Sequence, residues 1–283
     1  MPVVLKAPPG AGKTTGVPPS LLDGGIGDEG QILLIQPRRM AARAAANRLA
    51  TLRGTSLGSE VGYHVRFDKC FGRPTKLIAM TTGVLLRRLA ADPLLEGVAC
   101  VILDEFHERS IEIDLAMGML HRIRTTLRPE LKTVIMSATL DPGPIIDFLG
   151  EAKAIESQGR SYPVDIRYAA SLSRQPIDHQ VAEVLPDVLR GSDGDVLVFL
   201  PGVGEIRRVH RALEARGFGD EAILMQLYGD LSPAKQDAVL QAATRRKIVL
   251  ATNVAETSVT IPGVSAVIDS GTARVMKYDA RVG

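Results

Sequence analysis

The sequence predicts an α/β protein made of two tandem, doubly wound parallel-sheet domains. Three observations lead to this. The apolar runs are short and continuous rather than alternating, as in parallel strands covered on both faces. Helical stretches separate them in βαβα order, the pattern of a doubly wound sheet. The pattern breaks once, around residues 151–163, and then resumes. A chain of 283 residues is long enough for two ordinary domains, expected here at 1–157 and 162–283.

The first strand, 3–6, runs into Ala7-Pro8-Pro9-Gly10-Ala11-Gly12-Lys13-Thr14-Thr15. An apolar strand, a Gly-rich turn and a Gly-Lys-Thr helix start make a P-loop, with Ala7 where the pattern has its first glycine. Backbone N–H groups of such a loop converge with a helix N-terminus on a phosphate. Gly10 and Gly12 let the backbone bend and approach closely. Lys13 would reach the β and γ phosphates, and Thr14 would place its hydroxyl on Mg²⁺. Pro18 and Pro19 fall inside the helix that follows, so a short or kinked helix is expected there. Residues 22–30, rich in glycine, read as a surface loop.

Further strands are expected at 32–36, 77–80, 98–103 and 133–136, with helices at 40–52, 83–91 and 111–125. The strand at 98–103 ends in Asp104-Glu105. Paired carboxylates at a strand tip in a P-loop chain have a specific chemistry. Asp104, with Glu105 beside it, would hold Mg²⁺ through water, and Glu105 would polarise the attacking water as general base. His107 follows closely; a lone histidine is ordinarily a surface or satisfied one, and the alternative reading joins it to Lys13 and Glu105 in the candidate catalytic set. Residues 158–163 read as a connector. The second domain is expected as helix 179–189, strand 195–200, helix 204–215, strand 223–228, helix 233–243 and strands 247–252 and 264–269. It has no P-loop of its own.

Composition excludes several classes. Hydrophobic residues make up 45%, which excludes a disordered chain. No apolar run is long enough to span a bilayer. Cys70 and Cys100 have neither metal spacing nor a disulfide framework, and a reducing cytoplasm is the expected setting. The net charge of +2 does not announce nucleic acid. Arginines do cluster at 38, 39, 43, 48 and 53, a distribution that suits either a solvated helix face or nucleic-acid contact.

The P-loop is joined by Gln36-Pro37-Arg38-Arg39, Thr81-Thr82-Gly83, Asp104-Glu105-Phe106-His107, Ser137-Ala138-Thr139 and Ala251-Thr252-Asn253-Val254-Ala255-Glu256-Thr257-Ser258. In order and spacing these resemble the DEAH-box ATP-dependent RNA helicases of superfamily 2. Phe106, and the run from Val61 to Phe67, look most like the bacterial HrpB-type branch. The resemblance implies two RecA-like domains, ATP and Mg²⁺ as cofactors, and single-stranded RNA as partner, in a monomeric core. It implies nucleic-acid backbone contacts at Pro37, Arg38, Arg39, Thr81, Thr82, Thr252, Asn253 and Thr257. It also implies adenine stacking by Arg48, and coupling of nucleotide state to domain movement through Ser137, Thr139 and Glu256. A Gln-Arg-x-Gly-Arg-x-Gly-Arg run would follow residues 274–278 in the family, and the chain stops at Gly283. A second domain incomplete at its C-terminus and impaired hydrolysis are therefore expected. The alternative is a fragment that binds nucleotide or nucleic acid without hydrolysis.

Overall fold

The computed structural model describes residues 1–159, 163–169, 175–256 and 260–274. Its contacts divide the chain into two compact units, Met1–Val164 and Asp165–Gly283.

The first unit runs β1 (Val3–Lys6), α1 (Lys13–Asp23), α2 (Ile26–Glu29), β2 (Gln31–Gln36), α3 (Arg39–Leu52), β3 (Val61–Val65), β4 (Asp68–Cys70), β5 (Leu77–Thr81), α4 (Thr82–Ala91), β6 (Val98–Leu103), α5 (Ile111–Thr126), β7 (Lys132–Ser137), α6 (Gly143–Leu149) and β8 (Lys153–Glu156). The strands form one sheet in the order β4-β3-β5-β2-β6-β7-β1-β8. All its pairs are parallel except β3 with β4, an antiparallel hairpin at one edge.

Side chains alternate across this sheet with the period of two that a strand imposes. Leu33, Ile35, Val101 and Leu103 point into a core shared with Leu85 and Leu89 of α4 and Ile113 and Leu120 of α5. Ile32, Leu34, Cys100 and Ile102 point the other way, against Leu22 of α1 and Ala42, Ala46 and Leu49 of α3. The register that pairs Ile35 with Leu103 brings the tips of β2 and β6 side by side. Ile32 is 0% exposed. Ile32→Ala should therefore cost about 2–5 kcal/mol, the usual toll of a large buried truncation, read as a lowered denaturant midpoint by circular dichroism.

The P-loop helix α1, expected to be short or kinked, runs 11 residues through Pro18 and Pro19. Each ring presets a helical φ and costs one intrahelical bond, and burial of Leu22 holds the last turn. Residues 22–30 are not one surface loop, because Leu22 and Asp23 belong to α1 and Ile26–Glu29 forms α2. The break at 151–163 contains β8, which pairs with β1 at the sheet edge.

The second unit runs α7 (Ile177–Gly191), β9 (Asp195–Phe199), α8 (Val203–Ala215), α9 (Phe218–Glu221), β10 (Ile223–Leu227), α10 (Pro233–Leu240), β11 (Lys247–Ala251) and β12 (Val264–Asp269). Its parallel sheet has the order β10-β11-β9-β12. Helix α10 stops at Leu240, short of the expected 243. The Lys247 ammonium, 1% exposed, donates to the carbonyls of Val239 at 3.0 Å and Gln241 at 2.9 Å. It satisfies carbonyls that a helix end would otherwise leave without donors.

Candidate nucleotide site

In a doubly wound sheet, ligands lie outside the carboxyl ends of the strands. The candidate residues of the first unit gather there. The loop after β1 turns through Gly10 and Gly12, at φ of 77° and 79°. Glycine adopts this left-handed region without Cβ strain. Gly12 is the N-cap of α1, so the first N–H groups of the helix, those of Lys13 and Thr14, have no partner within it, while the Thr15 N–H donates to the Gly12 carbonyl at 3.2 Å. The loop is tied to the strand beside β1 in the sheet, β7, by the Ala7 N–H, which donates to the Ser137 carbonyl at 3.1 Å.

Lys13 is buried, and its ammonium donates to the carbonyls of Ala7 at 2.6 Å and Pro8 at 3.1 Å. The charge is thereby held in the concave side of its own loop. Thr14 donates its hydroxyl to Asp104 Oδ2 at 2.6 Å. This contact joins the P-loop helix to the tip of β6. Gln36 Nε2 donates to the same oxygen at 2.7 Å, and the Glu105 N–H donates to Asp104 Oδ1 at 2.9 Å.

Asp104 is 1% exposed. Burial pushes its carboxyl up, against the opposing pull of the Thr14, Glu105 N–H and Gln36 hydrogen bonds and the Lys13 charge. Glu105 is pushed up to about 7, by burial first and then by the nearby Asp104 and Glu108 carboxylates, with Lys13 opposing. A general base works best with a pKa near the operating pH. Glu105 also sits at φ 51°, a left-handed backbone rare for a side chain of this size. It opens the 3-10 turn Phe106–Glu108, whose Phe106 is fully buried. That anchor holds the turn, and so the Glu105 carboxylate, at the strand tip.

His107 lies between two of the motifs. Its Nε2 is 3.4 Å from Glu105 Oε2, and its Nδ1 accepts from the Ala138 N–H at 3.5 Å. Burial lowers its pKa, which suits the neutral ring that such an acceptor needs. Ser137 is buried and its hydroxyl accepts from the Leu140 N–H at 3.1 Å, whereas Thr139 is exposed.

A cavity of about 230 Å³ opens beside Asp104 and Glu105 and is also lined by Pro37, Arg38, Thr82 and Glu108. Arg38 pairs with Glu108 at 3.4 Å. Three of the expected backbone-gripping residues therefore share a wall with the candidate base. Arg39 is exposed at the start of α3, and Thr81 is buried at the N-cap of α4. Arg48 is exposed on α3 and bonded to none of the described loop residues. In the second unit, the Thr252 N–H donates to the Leu227 carbonyl at 3.1 Å at the end of β11, followed by a turn over Asn253–Ala255. Asn253 and Glu256 are exposed there. Thr257 lies outside the described residues. Sequence reasoning gave Gln36 no role, since nothing local signals that its amide meets a carboxylate 68 residues away.

The donor set fits a nucleotide triphosphate with Mg²⁺. A Cβ on Gly10 would meet no atom within 4 Å, so the turn has open space beside that residue. Among the described residues no group of three or more His, Cys, Asp or Glu side chains could hold a metal. Mg²⁺ does not need one, because it takes one or two protein oxygens and completes its shell with phosphates and water.

The fold and site define a chain with a P-loop on one parallel-sheet domain and a second parallel-sheet domain after it. Residues 1–147 match the family model described as DEAD/DEAH box helicase, and residues 180–281 match the helicase conserved C-terminal domain. The chain belongs to the DEAD/DEAH box helicase family. It is 47% identical over 283 residues to the ATP-dependent RNA helicase HrpB of Escherichia coli (strain K12), covering 99% of this chain and 35% of that protein. It is 40% identical to the ATP-dependent RNA helicase HrpA of the same strain, covering 22% of that protein. The crystal structure of the Escherichia coli DEAH/RHA helicase HrpB matches with a TM-score of 0.88 at 47% identity, over 100% of this chain and 36% of that one. The chain thus spans about a third or less of the length of these relatives. No helix of the described residues is long and apolar enough to cross a membrane.

Proposed function

We propose that this chain is an ATP-dependent RNA helicase core, in which nucleotide binding and hydrolysis change the grip on a single strand. The observation that carries this reading is the 2.6 Å contact from Thr14 to Asp104, which brings the phosphate loop and the paired carboxylates to one place. Loop N–H groups and Lys13 bind the phosphates. Thr14 and Asp104 are the residues that would hold Mg²⁺, which when bound neutralises charge on the β and γ phosphates. Glu105 accepts a proton from a water whose oxygen attacks the γ phosphorus. The bond to the bridging oxygen breaks, giving ADP and phosphate. His107 holds Glu105 against the Ser137–Ala138 segment, so a change at the γ phosphate is felt at the tip of β7.

The nucleic-acid half of the reading draws on the family relation and on the wall that Pro37, Arg38 and Thr82 share with Glu105. Contacts of this kind grip phosphate and sugar and carry no sequence choice. The relatives named RNA helicases supply the substrate class. Anisotropy of a labelled single-stranded RNA, titrated with and without Mg²⁺ and a non-hydrolysable ATP analogue, tests the coupling. Affinity should change about fivefold or more between the two states, the lower end of ordinary coupling free energies. Equal affinity in both states would overturn the proposal.

A further inference from the structure

We propose that Gln36 is a positioning residue for Asp104, holding its carboxylate so that one oxygen stays turned toward the nucleotide's metal. The inference rests on the nucleotide reading above. Gln36 is the last residue of β2, and Asp104 follows the last residue of β6. The Asp104 N–H donates to the Ile35 carbonyl at 3.0 Å, which locks the two tips together. Both side chains continue the alternation of Ile32–Leu34 and Cys100–Ile102, so both face α1, where Thr14 lies. Gln36 is 2% exposed, so water does not substitute for its amide.

The accounting of acceptors gives the amide its purpose. A carboxylate has about four acceptor positions. Oδ2 takes the Thr14 hydroxyl and the Gln36 amide, and Oδ1 takes the Glu105 N–H. One position remains, on Oδ1, for a water in a metal's shell. Without Gln36, Oδ2 loses one of its two donors, and only the Thr14 hydroxyl and the Glu105 N–H still set the angle of the carboxylate. The choice of amide follows from charge. An ammonium or guanidinium here would cancel the negative charge that a cation requires. A carboxamide supplies direction and leaves that charge intact. Partners that orient a metal-binding group this way usually carry 10–100-fold in metal affinity.

The test is calorimetric titration of the chain with a non-hydrolysable ATP analogue, in Mg²⁺ and in EDTA, for the wild type, Gln36→Met, Gln36→Leu and Asp104→Asn. Gln36→Met keeps the length of the side chain and removes the donor. Gln36→Leu removes the donor with a shorter, branched side chain and adds no charge. Both should lower the ratio of Mg²⁺ to EDTA affinity by about tenfold or more, with EDTA affinity unchanged. A folded variant whose ratio stays within about threefold of wild type would overturn the inference. So would an equal loss of affinity in both buffers, or failure of both variants to fold, because each marks a purely structural role. If the wild type itself shows no Mg²⁺ effect and Asp104→Asn changes nothing, the metal-site reading fails and takes this inference with it. Loss of the ratio in Asp104→Asn alone rejects Gln36 and spares that reading.

Discussion

Glu105→Gln should reduce nucleotide hydrolysis by about 10²–10⁴-fold, the usual contribution of a positioned general base, and leave nucleotide affinity within a few-fold of wild type. The substitution is nearly isosteric and removes the negative charge together with the ability to take a proton. The pH profile makes the assignment specific. Glu105 is pushed up to about 7 by burial and by Asp104 and Glu108. A base must be deprotonated to act, so turnover should rise with pH, fall about tenfold per unit on the acidic side, and level off above about 7. In Glu105→Gln that rising limb should vanish along with the rate. Single-turnover phosphate release between pH 5.5 and 8.5 gives both results. A variant that keeps wild-type rate, or a wild type whose acid limb falls near the ordinary carboxylate range, would remove Glu105 from its role.

Lys13→Ala should weaken binding of ATP by about 10–150-fold, the range of one or more charge-assisted hydrogen bonds worth about 1.5–3 kcal/mol. Two effects contribute. The variant removes the cation that would meet the phosphates. It also leaves the Ala7 and Pro8 carbonyls, which Lys13 now satisfies, turned into the loop where an anion would sit. Unpaired oxygens facing a phosphate repel it. Lys13→Met separates the two effects poorly, because it lacks both the charge and the donors. Lys13→Arg keeps charge but brings a planar fork too large for the turn, and should recover little. Calorimetry with ATP and Mg²⁺ measures all three. An affinity for Lys13→Ala within threefold of wild type would count against the loop as the phosphate site.

How much of this was legible beforehand depended on the range of each interaction. Strands β1, β6 and β12 have the bounds read from the sequence, because continuous apolar runs closed by glycine or charge are a local signal. The P-loop and the Asp104-Glu105 tip were legible for the same reason. The hairpin of β3 and β4 and the edge strand β8 were not assigned. Asp68-Lys69-Cys70 and Lys153-Ala154-Ile155-Glu156 are short and polar, and their pairing is decided by the neighbouring strand. At the site, candidate residues can be picked out of the sequence but their partners cannot. The Thr14–Asp104 bond spans 90 positions and the Gln36–Asp104 bond 68. Only the spatial order of β2, β6, β7 and β1 makes those contacts visible.

The side-by-side tips of β2 and β6 also set a rule of parity. Whether a residue at a tip looks toward the phosphate loop or toward α4 and α5 is fixed by counting in twos from the strand's interior. Adding or deleting one residue within either strand would exchange the two faces. It would drive Asp104 or Gln36 into the opposite core and bring a leucine-like neighbour against Thr14. Inside these strands the chain keeps an indexed frame, and an engineer grafting new lengths into the first unit should cut only outside it.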